Sequence, residues 1–307
     1  MGKTAYIFPG QGSQTVGMGK DLYDTSPAAK QVFDAADEAL RMSLSQLCFN
    51  GPKDELTKTV NAQPALLVMS MASLAALKEE APDAFAAPSY MAGHSLGEYS
   101  ALTAADSLSF VDAVRLARER GRLMYEAGLE HPGSMASIIA MSKEEVEKVC
   151  KETGTYIANY NCPGQIAISG GKEEVKKAMK LAKEHGARMA IPLQVSGAFH
   201  SPLMQSASDS LRPMIEKTNI SSPAVPVVGN TKAQLMTTKD DVKTELEEQV
   251  CNSVQWEASV RFMLDQGVDT FIELGAGKVL SGLLRRIDPK AKAINIGSID
   301  NIKSLLS

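Results

Sequence analysis

Five consecutive residues, Gly93-His94-Ser95-Leu96-Gly97, carry the spacing Gly-x-Ser-x-Gly. That spacing suits a tight turn from a strand into a helix. The turn forces the serine backbone into a strained conformation, and glycine on both sides lets the two elements approach closely. A serine presented this way is a nucleophile. The N–H groups at the helix start point toward its oxygen and form one half of an oxyanion hole. Attack on an acyl carbonyl is the chemistry such a turn serves. A serine that only capped a helix would need neither glycine.

A nucleophilic serine needs a base, and the chain offers four histidines. His94 adjoins the nucleophile; successive residues in a sharp turn point in different directions, so it is expected to pack under the turn. His131 sits in a Glu-His-Pro-Gly loop. His185 ends a lysine-rich helix just before Gly186, where it complements the helix dipole. His200 lies in Val195-Ser-Gly-Ala-Phe-His-Ser-Pro202, an apolar segment with small residues. It is the best placed, and an ordinary pKa near 6.5 suits a general base around neutrality. No third member of a triad can be read from the sequence. Ordinary α/β-hydrolases place the histidine near the C-terminus, after an acidic residue. Here three more expected strands follow His200, which argues against a standard lipase or esterase.

The elements that must position these residues alternate between strand and helix. Thr4–Phe8 reads as a buried strand stopped by Pro9-Gly10. Pro27–Cys48 and Asn61–Glu80 read as helices, the second with Asn61 near its cap. Its most apolar part, Pro64–Leu77, is too short to span a bilayer. Tyr90–Gly93 is a short strand that feeds the helix Leu96–Ala105, and Ser109 caps a long amphipathic helix to about Ala127. From Ser134 the pattern becomes βαββαβ: strands at 134–141, 156–161, 165–169 and 188–195, with helices at about 142–152 and 173–185. Ser142 and Glu145 form a capping box. That order is the ferredoxin-like unit. Strands at 225–228, 270–274 and 293–296 then resume the alternation. The expected fold is α/β: a parallel-sheet, hydrolase-like body from 1–131 and 199–307, interrupted by a ferredoxin-like subdomain at 132–198.

Composition narrows the possibilities further. The 307 residues are 44% hydrophobic and 22% charged, with a net charge of −4, an ordinary globular balance. No nucleic-acid partner is expected, because that footprint would be basic. The four cysteines (Cys48, Cys150, Cys162, Cys251) form no CxxC pair, so neither a disulfide framework nor a zinc site is expected, and a reducing cytoplasm fits. No signal peptide is legible, since the apolar run after Lys3 stops at Pro9, and no membrane association is expected. Gly275-Ala-Gly277 after a strand suggests a dinucleotide fingerprint only superficially: Leu280 stands where a third glycine is required. No metal or redox cofactor is called for.

With Ser95 and His200 identified, the chain resembles the malonyl-CoA:acyl carrier protein transacylases of fatty-acid synthesis. The resemblance runs from Phe8-Pro-Gly-Gln-Gly-Ser-Gln14 to Glu273-Leu-Gly-Ala-Gly-Lys278. Between them stand Gly93-His-Ser-Leu-Gly-Glu98, Arg118-Glu-Arg-Gly121, Ala198-Phe-His-Ser201 and Asn252-Ser-Val-Gln-Trp256. Several separate motifs in order over nearly the whole chain are far more specific than one short pattern.

The resemblance implies a Ser95–His200 dyad. A backbone carbonyl near Gln255 would orient the histidine, and the N–H groups of Gln11 and Leu96 would form the oxyanion hole. It further implies that Arg120 holds the free carboxylate of a malonyl group and that Phe199 excludes an α-methyl branch. The implied substrates are malonyl-CoA, a coenzyme A thioester, and acyl carrier protein. The expected carrier is acidic, so a basic docking face is sought at Lys278, Arg285 and Arg286 or along the helix from Lys172 to Lys183. A monomer is expected. Two other readings stay open: a hydrolase in which water is the second nucleophile, and a non-catalytic docking subunit, against which the retained Ser95 and His200 speak.

Overall fold

The architecture is mixed α/β, built on two separate sheets. It is a computed structural model that describes residues 2–84 and 87–306. The larger sheet holds β1 (Lys3–Phe8), β2 (Tyr90–Gly93), β7 (Val227–Val228), β8 (Leu235–Met236), β9 (Val268–Leu274) and β10 (Lys292–Ile296), in the order β10-β9-β1-β2-β7-β8. All neighbours are parallel except the β7–β8 edge. The smaller sheet holds β3 (Gly133–Ile139), β4 (Tyr156–Cys162), β5 (Gln165–Gly171) and β6 (Met189–Pro192). Its order is β4-β5-β3-β6, antiparallel throughout.

β1 and β2 run side by side, with Phe8 opposite Gly93. The loops after both strands therefore emerge next to each other at the carboxyl edge of the sheet, where open α/β sheets bind ligands. β1 is buried over its last four residues, as strands covered on both faces are.

The helix Thr59–Glu80 is apolar all round because it is buried on nearly every side. At 22 residues it is long and apolar enough to cross a membrane, longer than the Pro64–Leu77 stretch suggested. It packs instead against the helices Pro27–Leu40, Leu96–Ala104 and Phe110–Glu130. Each fully buried Leu or Met along it contributes about 1.5–3 kcal/mol. Pro64 lies inside this helix and has no N–H to give the Val60 carbonyl. Arg118 supplies that hydrogen bond instead, Nη1 to Val60 O at 3.0 Å. Asn61 does not cap the helix. Its amide donates to Glu55 O (2.7 Å) and its carbonyl accepts from Arg118.

Other expectations shift locally. The expected helix 27–48 is two helices, Pro27–Leu40 and Leu44–Asn50. They are broken at Arg41, whose left-handed φ of 51° ends the first. The strand expected over 188–195 is shorter, Met189–Pro192, although Arg188 N and Leu193 N still bond to Ile139 O and Met135 O; Leu193 and Val195 line the cavity described below. Ser109 and the Ser142–Glu145 box cap their helices as expected. Glu273, buried at the end of β9, accepts from Leu280 N, Ser281 N and Ser281 Oγ. It thus caps the following helix, Val279–Ile287, where the rejected dinucleotide motif lay.

Candidate active site

The elbow after β2 closes as the glycines require. A Cβ on Gly93 would stand 1.9 Å from the Gly97 carbonyl, and one on Gly97 would stand 2.0 Å from Phe8 O. Strand end and helix start are in backbone contact, which only glycine tolerates. Ser95 itself is held at φ 53°, ψ −109°, outside the relaxed regions for a residue with a side chain.

Two side-chain amides hold that conformation. Ser95 N–H donates to Asn230 Oδ1 (2.7 Å), while Asn230 Nδ2 donates to Gly93 O (2.7 Å). Gln249 Nε2 donates to the Ser95 carbonyl (3.0 Å). The strained residue is therefore gripped at its N–H and at its C=O.

His200 meets Ser95 as expected: Ser95 Oγ and His200 Nε2 are 2.8 Å apart. His200 Nδ1 faces two carbonyls, Gln249 O at 3.0 Å and Asn252 O at 3.1 Å. Two acceptors require the proton on Nδ1, which leaves Nε2 bare to accept from Ser95 O–H. Orientation by backbone carbonyls thus holds, but the carbonyls are not that of Gln255. The helix Lys239–Glu248 ends just before Gln249, and the last carbonyls of a helix have no partner within it. Gln255 instead begins the next helix, its N–H on Asn230 O (2.7 Å) and its O accepting from Ser259 N.

The environment departs from the expected neutral titration. Burial, reinforced by the Arg120 charge, pushes the His200 pKa down to about 3, so the imidazole is neutral over the working range. A neutral base is what activation of Ser95 needs.

Dyad, oxyanion candidates and arginine open onto one cavity of about 690 Å³. Gln11, Leu96, Arg120 and Phe199 all line it beside Ser95 and His200. The backbone N–H groups of Gln11 and Leu96 have no hydrogen-bond partner among the described residues. Phe199 is buried next to the base. His94 does not pack away under the elbow. It lines the same cavity, Nε2 2.8 Å from Asn161 Oδ1, with its ring tilted against Trp256.

Arg120 is 1% exposed. Its Nη1 donates to Gln63 Oε1 (2.7 Å), and its Nη2 to Gln249 Oε1 (2.8 Å) and Ser95 Oγ (3.1 Å). The guanidinium lies over the Tyr99 ring, 5.5 Å from the centroid. Its Nε has no partner, and among the described residues it makes no ion pair. The guanidinium thus reaches the nucleophile through Nη2, while its Nε is buried without a hydrogen-bond partner. The neighbouring arginines are otherwise engaged: Arg118 on Val60 O, Arg122 on Glu119 and Glu126 at the surface.

Sequence reasoning missed Asn230, Gln249 and Gln63, whose surroundings in the chain carry no signal. Glu98 was legible only as part of a motif, though a carboxylate in the otherwise apolar helix Leu96–Ala104 marks a buried charge.

Comparison with known proteins shows which family the chain falls in. The family model described as acyl transferase domain matches residues 5–290. A malonyl CoA-acyl carrier protein transacylase of Bacillus subtilis (strain 168) is 48% identical, the alignment covering 99% of this chain and 96% of that protein. The structure of an acyl-carrier-protein S-malonyltransferase from Bartonella henselae superposes with a TM-score of 0.95 at 40% identity, over 99% of this chain and 98% of that one. A malonyl-transacylase solved in complex with its type II PKS acyl-carrier protein gives 0.94 at 39%, over 99% of both chains. An elbow serine, a carbonyl-oriented histidine and an unpaired buried arginine therefore stand in a chain that belongs to the malonyl CoA-acyl carrier protein transacylase family of acyl transferases.

Proposed function

We propose that this protein transfers a malonyl group from malonyl-CoA to the phosphopantetheine thiol of an acyl carrier protein through a malonyl-Ser95 intermediate. The observation that carries this reading is Arg120, buried, without a carboxylate partner, and 3.1 Å from the nucleophile.

The Ser95–His200 pair acts as the catalytic dyad. Ser95 Oγ attacks the thioester carbonyl while its proton passes to His200 Nε2. The oxyanion forms against the N–H groups of Gln11 and Leu96. The C–S bond breaks, and the departing thiolate takes the proton from His200. The carrier thiol then gives its proton to the same Nε2, attacks the Ser95 ester, and leaves with the malonyl group as Ser95 recovers its proton. The substrate carboxylate pairs with the Arg120 guanidinium, and Phe199 fills the space an α-methyl branch would need. Coenzyme A is a substrate, and no cofactor enters the cycle.

The larger sheet is read as a hydrolase-like body, 1–131 and 199–307, of which residues 1, 85–86 and 307 lie outside the described residues. The four-stranded sheet with its two helices is read as a ferredoxin-like insert at 132–198; its strand order and antiparallel pairing support this. A monomer is the proposed state. The four free cysteines suit a reducing cytoplasm. An acidic carrier is read to dock at Lys278, Arg285 and Arg286, on or beside the helix Val279–Ile287, or along the helix from Lys172 to Lys183. Arg286 also ties that helix to the β4–β5 turn through Gln165 Oε1 (2.5 Å) and Pro163 O (3.2 Å). Charge reversal at Lys278 or Arg285 should raise the KM for the carrier and leave self-acylation intact.

The test is intact mass after incubation with malonyl-CoA. One malonyl unit should appear, map to Ser95, and leave when carrier is added. Label on another residue, or release of free malonate at the rate of label loss without carrier, refutes the reading.

A further inference from the structure

Glu98 is 0% exposed and lies one turn beyond the nucleophile, yet no step above uses it. Its oxygens accept from three N–H groups: Asn230 N (2.8 Å), Asn230 Nδ2 (3.1 Å) and Gln249 Nε2. Burial, with the like charge of Glu245, raises its carboxyl well above the usual carboxylate range, against the lowering effect of the Asn230 and Gln249 hydrogen bonds and the Arg120 charge. The three N–H groups facing its oxygens are all donors, the set that an ionised carboxylate takes.

An acceptor-only group at this junction reinforces the way both amides face. Asn230 gives its Nδ2 to Gly93 O and to Glu98, and its Oδ1 accepts from Ser95 N–H. Gln249 gives its Nε2 to Ser95 O and to Glu98, and its Oε1 accepts from Arg120 Nη2. One carboxylate thus holds the NH₂ of both amides that grip the strained Ser95, and through Gln249 it is joined to the guanidinium. The backbone of the same Gln249 orients His200.

The charge argument points the same way. Arg120 and Glu98 are two buried opposite charges joined through the Gln249 amide rather than directly. A direct pair would neutralise Arg120 but occupy the donors a substrate carboxylate needs. The bridged pair offsets the buried cation and leaves Arg120 without a carboxylate bonded to it among the described residues.

We propose that Glu98 is a positioning residue for malonyl selection and acyl transfer, acting through the Gln249 and Asn230 amides on Arg120 and Ser95. This rests on malonyl transfer through Ser95, so native enzyme is labelled first as a control. Native enzyme that takes no malonyl group refutes that reading, not this one.

The experiment compares single-turnover acylation by malonyl-CoA and by acetyl-CoA in native enzyme, Glu98→Gln and Gln249→Leu. Glu98→Gln is isosteric, but its own NH₂ must oppose either that of Gln249 or the two Asn230 donors. Against Gln249 it breaks that contact or flips the amide, setting donor against Arg120 and acceptor against Ser95 O. Malonyl acylation should fall about 100-fold and acetyl acylation about tenfold or less, narrowing the preference about tenfold. Gln249→Leu removes the bridge and leaves the backbone carbonyl for His200, and should narrow the preference similarly. Equal falls for both acyl groups would mean a merely structural role and overturn the proposal, as would native rates in Glu98→Gln. If Glu98→Gln does not fold, the malonyl-to-acetyl ratio of Gln249→Leu decides: an unchanged ratio overturns the proposal.

Discussion

Ser95 and His200 are 105 positions apart in the chain, meet at 2.8 Å through Oγ and Nε2, and both hold a positive φ, 53° and 56°. Two non-glycine residues in a sparsely populated conformation each carry a cost of order 1–3 kcal/mol, sustained by surrounding hydrogen bonds. Here those bonds are the Asn230 and Gln249 amides on Ser95 and the Gln249 and Asn252 carbonyls on His200. The pair is held ready before any substrate arrives.

Removing the nucleophile tests the covalent route. Ser95→Ala should form no acyl-enzyme and lose at least about 10⁴-fold in transfer, because nucleophile and base act as a unit. Mass spectrometry of the malonyl-CoA-treated variant checks this, and an adduct at another residue contradicts it.

The pH profile of acylation should be set by the buried imidazole. His200 accepts a proton only when neutral, and it is neutral at every pH above about 3. The acylation rate should therefore stay level as pH falls from 8 to 5, with no limb near the ordinary histidine value of about 6.5. A half-maximal rate near pH 6.5 would contradict the burial argument.

Stability should respond to the same depressed pKa. Below about pH 6.5 the unfolded chain binds a proton that folded His200 refuses until about pH 3. Stability is complete above pH 6.5 and declines as pH falls, by up to about 1.4 kcal/mol per pH unit. In His200→Gln that contribution disappears. Urea unfolding at pH 7 and 5 should show the loss between them smaller in the variant by about 2 kcal/mol.

Acyl choice should follow Arg120. Arg120→Ala should lose about 10²-fold or more in kcat/KM for malonyl-CoA, matching a charge-assisted pair of about 3 kcal/mol. It should gain relative use of acetyl-CoA, since an unpaired buried guanidinium penalises a neutral acyl group. Arg120→Lys should recover only part, lacking the fork. The ratio of kcat/KM for the two substrates is the readout. No change would return the carboxylate to another group, although Arg118 and Arg122 are already bonded elsewhere.

Backbone contact at the elbow gives a steric prediction. Gly97→Ala places a Cβ 2.0 Å from Phe8 O, so the helix must move off the strand. A loss of about 3 kcal/mol and collapse of Ser95 acylation are expected, measured by urea midpoint and label stoichiometry.

The sequence by itself determined the local, periodic and motif-borne features. The elbow was legible because strand, Gly-x-Ser-x-Gly and helix are contiguous, and the capping box at Ser142 and Glu145 because its two bonds span three residues. His200 could be singled out among four histidines by its apolar, small-residue surroundings. What sequence could not carry was any choice that depends on which distant groups face a side chain. The helix Phe110–Glu130 holds Arg115, Arg118, Arg120 and Arg122, alike in composition. Tertiary packing turns Arg118 onto the carbonyl orphaned by Pro64, Arg122 onto surface carboxylates, and Arg120 into the cavity. The carbonyls that orient His200 belong to Gln249 and Asn252 rather than Gln255, because they lie where one helix happens to end beside the histidine. The pKa of His200 likewise depends on burial and on an arginine 80 positions earlier in the chain, and neither exists until the chain has folded.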